Sequence, residues 1–310
     1  MGFSNADEVT ADQVTANEVI GAYEAITAEN DTERWAYGTG FTDPLAGVDT
    51  SLPAGIDGSD LATYCVMLGD DALIMSHRLQ QWLARAPELE EETALANIAL
   101  DLLGQARMLL SRAGAADGSQ RTEDDLAFLR GEREFRNVRL AEVADADFAG
   151  LVARLLVFST WRLALLSRLR DSIDPVLAAI AARGMTELTY HRDYAAEWLI
   201  MLGDGTEYSH ERAVAALAAV APFVPELFEP TEIEGRLAAS GVGADPAQLR
   251  ADFDAVLAHV LAEASLDWPE VPGLAAVSGQ AGRDGVHTEA MGFLLAELQS
   301  VARALPGATW

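Results

Sequence analysis

Between Ser59 and Gly203 apolar residues recur at steps of three and four in four long blocks, the spacing of helices with one buried face. The first block, about Leu61 to Leu83, carries a stripe of Leu61, Cys65, Leu68, Ala72, Met75, Leu79, Trp82 and Leu83. Helical periodicity puts Asp70, His77 and Gln81 on the opposite side, so these three are expected on a solvated or partner-facing surface and not in a core. The second block, Glu88 to Arg112, is apolar almost all the way round, with Leu95, Ile98, Leu102, Ala106, Leu109 and Leu110 on one broad arc. Only a narrow polar strip remains, through Asn97, Asp101, Gly104 and Gln105. A surface helix would show a wide charged face, so this one is predicted to be central, and its few polar groups need partners. Pro87 opens it, and Glu88, Glu90, Glu91 and Glu92 fill its first turns, where carboxylates favour the positive end of the helix dipole.

The third block, about Ala146 to Arg170, places Phe148, Val152, Leu155, Phe158, Leu166 and Leu169 on one side, with Arg162 inside that stripe. An arginine among leucines needs a partner, since burying an uncompensated charge costs several kcal/mol or more. The fourth begins at Asp174-Pro175, runs to about Leu202 and stops at Gly203. Leu177, Ala181, Leu188, Ala195, Leu199 and Leu202 form its stripe, with Glu187, His191 and Trp198 along one margin. Four such helices, joined by short connections and one longer segment, predict an all-α bundle. Within the longer segment Thr122 opens a helix whose second half is expected to carry the arginines at 130, 133, 136 and 139 on a solvated face or an interface. Further helices follow from Arg212 to Ala221, from Thr231 to Gly241, from Asp245-Pro246 to about Ala264, and from Glu289 to Leu305. The stretch Ser265 to Thr288 reads as irregular, and no strand pattern stands out.

Residues 1–58 differ in character: a short acidic segment, then a run rich in Gly, Pro, Asp and Thr. They read as a partly extended N-terminal arm before a helical domain at 59–310, and two views of the arm stay open. One is a partly disordered tail; the other is an arm that Trp35, Tyr37 and Phe41 pin onto its own domain or a partner.

Charge then narrows the partners. With 21 basic and 49 acidic residues the formal net charge is −28, which repels nucleic acid and anionic lipid. Every basic residue is arginine. A single cysteine, Cys65, admits no intramolecular disulfide, and with neither a signal-peptide pattern nor an uninterrupted apolar span the expected compartment is the cytoplasm. Phosphate-binding glycine loops, zinc-type cysteine pairs and Gly-x-Ser-x-Gly elbows are absent from the sequence.

A bundle with inward acids and a histidine raises the chemistry of a carboxylate-bridged di-iron site, which takes one glutamate from each of two helices and a Glu-x-x-His pair from each of the others. Asp101 and Glu187 are the candidate acids, but the positions three residues later hold Gly104 and Tyr190. His191 sits four after Glu187, which leaves one histidine and two acids where about six ligands are wanted. The expectation is a polar remnant without metal, made of Asp101, Gln105, Arg162, Glu187 and His191, with Arg162 pairing directly with Asp101 or Glu187. No catalytic or cofactor-binding residue is assigned.

Four segments together resemble the C-type subunit of the bacterial phenylacetyl-CoA epoxidases, a ferritin-like family: LGDDALIMSHRLQQWLARAPELEEETALANIALDLLGQARMLL, then EREFRN, TYHRDYAAEWLIMLGDGT and GVHTEAMGFLLAELQSVARALPGATW. The resemblance spans about residues 59–310 in the same order. It implies a ferritin-like bundle with additional C-terminal helices, and a non-catalytic structural subunit in a multicomponent monooxygenase of aerobic phenylacetate breakdown. It also implies that di-iron belongs to a separate catalytic partner subunit, within a homo- or hetero-oligomer. The competing readings are a di-iron oxygenase in its own right and an iron-handling bundle. Acyl-CoA is polyanionic, and Arg130, Arg133, Arg136 and Arg139 form a candidate cluster for it; their interleaving with acids places the principal site on the partner instead.

Overall fold

The computed structural model describes residues 45–277 and 279–308; the expectations for the segment before residue 45, including Trp35, Tyr37 and Phe41, lie outside them. The described residues from 47 onward form one compact unit. It is all-α: α1 (Gly58–Gln80), α2 (Leu89–Ala116), α3 (Glu123–Phe128), α4 (Arg139–Glu142), α5 (Phe148–Leu169), α6 (Pro175–Gly203), α7 (Glu207–Val220), α8 (Glu232–Ala239), α9 (Arg250–Glu263) and α10 (Glu289–Ala304).

The helix starts follow from local chemistry. Asp57, Thr122, Asp147, Asp174, Thr206 and Thr231 each accept a backbone N–H of the first turn they precede, and Pro175 occupies the first turn of α6. α2 extends past Arg112 through an Ala-rich turn and stops before Gly118, whose φ of 70° is left-handed.

α1, α2, α5 and α6 make the bundle. α1 packs chiefly on α2 and α5 on α6, with α2 also against α6. α7 and α9 cover α5 and α6, while α4, α8 and α10 lie against α1. This leaves α1 and α5 enclosed: Leu61, Leu68, Ile74, Met75, Leu155 and Phe158 are all buried.

Three expectations change. Asp70 does not face solvent: it is fully buried, as are Leu73 and Ile74 beside it, while His77 and Gln81 are only partly covered. Counting apolar positions on one helix finds one buried face; α1 has a second, clasped by residues 130–142 and α10. The arginine-rich stretch is not helical throughout, but a single 3-10 turn, Glu132–Glu134, followed by extended backbone. Finally, α5 is long and apolar enough to cross a bilayer by length and composition, contrary to the expectation that no such stretch exists. Its residues are almost all covered by neighbouring helices, which identifies it as a core helix of the bundle.

Candidate functional site

The five side chains singled out from the sequence fall into two hydrogen-bonded sets one turn apart, Arg162 with Gln105 and Glu187 in the bundle and His191 with Asp101 toward its surface. Arg162 on α5 is fully buried, and its Nε donates to Gln105 Oε1 on α2 at 3.0 Å. Nη1 donates to the Leu68 carbonyl of α1 at 3.2 Å. The Gln105 amide passes the interaction on, its Nε2 donating to Glu187 Oε2 on α6 at 2.9 Å. Glu187 is steadied on its outer side by Arg183 one turn earlier, at 3.0 Å. One turn beyond, the buried His191 ring lies 3.0 Å from Asp101 Oδ2, with Nε2–H as donor because an ionised carboxylate only accepts.

The direct ion pair expected between Arg162 and Asp101 or Glu187 is therefore replaced by a relay through Gln105. The reason is reach: Asp101 sits one turn further along α2, at the bundle surface, and is taken by His191. Burial pushes the Arg162 guanidinium down to about 10, with Asp71 the main group opposing that fall, so it stays cationic at neutral pH. The packing around Gln105 is close. A Cβ at Gly184 of α6 would come within 2.7 Å of Leu166 Cδ1 and 3.2 Å of the Gln105 amide, so a larger residue there would press on the relay and shift the Leu166 side chain.

This donor set does not suit a dinuclear metal centre. A ferritin-like iron pair needs convergent carboxylates and an imidazole from each of two helices. Here the two acids belong to separate hydrogen-bonded pairs, and the cation among them is a guanidinium. Gly104 and Tyr190, the positions where imidazoles would stand, are both exposed. Among the described residues no three of His, Cys, Asp and Glu are grouped so as to hold a metal ion.

A second set of buried charges escaped the sequence reading. Asp70 and Asp71, adjacent on α1, are each gripped by a guanidinium through both carboxylate oxygens: Arg130 at 2.5 and 2.9 Å, and Arg283 at 3.0 and 2.9 Å. The backbone N–H groups of Arg136 and Val138 each add a bond of 2.8 Å. Arg139 Nε donates to Glu226 at 2.6 Å, and Arg154 is paired with Asp145. Arg130 and Arg139 are thus structural and buried, contrary to a solvated face, whereas the Arg136 guanidinium donates only to the Arg133 and Phe135 carbonyls. The one available signal was composition: arginines this frequent beside apolar segments need acids, but the partners of Arg130, Arg139 and Arg283 stand 60 to 212 residues away and leave no spacing to read.

One face of the bundle keeps apolar groups in water. Along α2 and α6, Leu100 is 62% exposed, Leu103 38% and Tyr190 52%. The phenylacetic acid catabolic protein family matches residues 53–310. The C-type subunit of the 1,2-phenylacetyl-CoA epoxidase of Escherichia coli (strain K12) is 42% identical over 252 residues, 81% of this chain and 100% of that protein.

Proposed function

Because the chain belongs to the phenylacetic acid catabolic protein family, we propose that it is the non-catalytic structural subunit of a multicomponent phenylacetyl-CoA 1,2-epoxidase, stabilising a separate di-iron catalytic subunit. The observation that carries the reading is Arg162. A fixed guanidinium, tied through Gln105 to Glu187, stands where an oxygen-activating bundle would gather its metal ligands. Such a core supplies cohesion instead of redox chemistry, and the acyl-CoA site falls to the partner.

Pairing with a related bundle is supported by the α2 and α6 face. Exposed leucines on α2 and the exposed Tyr190 on α6, with the small Gly104 beside the leucines, suit the close approach of a second helix pair. Mixed with the separately purified di-iron subunit at about micromolar concentration and low salt, the chain is expected to co-elute with it on size exclusion and to be required for epoxidation. Leu100→Asp with Leu103→Asp should weaken the complex on the order of 30-fold, with an unchanged melting temperature because both side chains are exposed. Separate elution of the unmodified subunits, or full epoxidase activity of the di-iron subunit alone, would refute the reading.

A further inference from the structure

His287 and Glu142 form a buried contact that the proposed function does not use. Both side chains are fully enclosed. Glu142 ends α4, and His287 immediately precedes Thr288, the N-cap residue of α10. The ring has an acceptor on each side: Nδ1 lies 2.7 Å from Glu142 Oε2, and Nε2 lies 3.2 Å from the Phe135 carbonyl. A neutral imidazole carries one N–H and would set a lone pair against one of these acceptors; the imidazolium satisfies both. Glu142 is in turn committed as an ionised acceptor. Its Oε2 takes a bond from Asn137 Nδ2 at 2.9 Å, and its Oε1 accepts the backbone N–H of Thr288. Since the Thr288 side chain makes no cap bond of its own, Glu142 is the group that caps α10.

From this arrangement we propose that His287 and Glu142 are a proton-dependent latch for α10, closed while the imidazole holds its second proton and opened when that proton is lost. On deprotonation the carboxylate keeps its charge in a buried site but loses its countercharge, and the start of α10 loses the fixed position of its cap. The rest of α10 is held by Met291, Leu294 and Leu295, by Arg78 donating to the Ala290 carbonyl, and by Gln299 donating to the Ala127 and Arg130 carbonyls. The charged groups facing the latch are Glu142 on α4, Glu132 on the preceding turn, and Arg78 of α1, whose Nε donates to the Glu142 carbonyl. Further along, His77 of α1 faces Glu297 of α10 at 4.0 Å.

The two histidines titrate in opposite senses. Burial works against the charge on His287, but the Glu142 carboxylate and the Phe135 carbonyl outweigh it and hold the ring above its ordinary value. A raised native value means that the latch contributes fully below the unfolded value of about 6.5 and is lost as pH rises through the native one. Burial holds His77 below the ordinary value, so it is neutral throughout that window and does not drive the transition.

The test is made on the full chain. Nitrogen-detected histidine NMR should find both ring nitrogens of His287 protonated above about pH 6.5. Amide protection of α10, corrected for intrinsic exchange, should fall about tenfold or more as the ring deprotonates, while α7 stays unchanged. Glu142→Gln should move that transition to lower pH, and His287→Gln should leave α10 weakly protected at every pH. An imidazole that titrates at or below about 6.5, or α10 protection that does not change with pH, overturns the latch even if both variants fail to fold.

Discussion

Arg162→Ala is expected to destabilise the chain by about 3–5 kcal/mol in chemical denaturation, the usual cost of stranding the partners of a buried charge. The loss has two parts. Gln105 Oε1 would be left buried without its Arg162 donor, the Leu68 carbonyl would keep only its intrahelical bond, and a cavity would open beside Phe158. Arg162→Met separates the two. A flexible apolar chain of similar length refills the space, so a much smaller loss identifies cavity formation as the larger part, whereas an equal loss identifies the hydrogen bonds. In a double-mutant cycle Arg162 and Gln105 should couple by about 0.5–3 kcal/mol, because they touch. A loss below about 1 kcal/mol for Arg162→Ala would place it among ordinary substitutions and deny the relay a structural role.

The other large effect is expected at Asp71. This carboxylate is fully buried, accepts two bonds from Arg283, and also accepts the Val138 N–H. Burial works against the Arg283 charge, yet Asp71 with Glu234 and Glu226 more than offsets it, so its proton is held more tightly than usual. Arg283 also donates to the Met67 and Arg136 carbonyls, so one guanidinium ties the segment before α10 to α1 and to the stretch before α4. Asp71→Ala should cost about 3–5 kcal/mol and loosen the segment around Gly282–Asp284 in hydrogen exchange before the bundle itself opens. Simultaneous, undiminished protection of that segment would show that Arg283 finds other acceptors there.

The long helices were legible because their information is local. Apolar spacing, an aspartate or threonine before the first turn and a glycine or proline at the ends sufficed for α1, α2, α5 and α6 to within a few residues. Asp70 was misplaced because a helix buried on two sides carries polar residues on its second face, and periodicity counts only the first. The same blindness hid the pairs of Asp71 with Arg283 and of Glu142 with His287, whose members stand 212 and 145 residues apart. At the bundle centre the position of Arg162 inside an apolar stripe pointed to burial, as the structure has it. The bridging amide of Gln105 was not predictable, since it depends on which turn of α2 lies level with α5.

The proposal that an arginine relay holds this bundle in place of an oxygen-activating metal pair is tested most directly by the iron content and absorption spectrum of the purified chain after anaerobic Fe(II) loading, desalting and exposure to air. Far less than one iron per chain, with no oxo-bridge absorption, is the expected result. About two irons per chain with that absorption would contradict it.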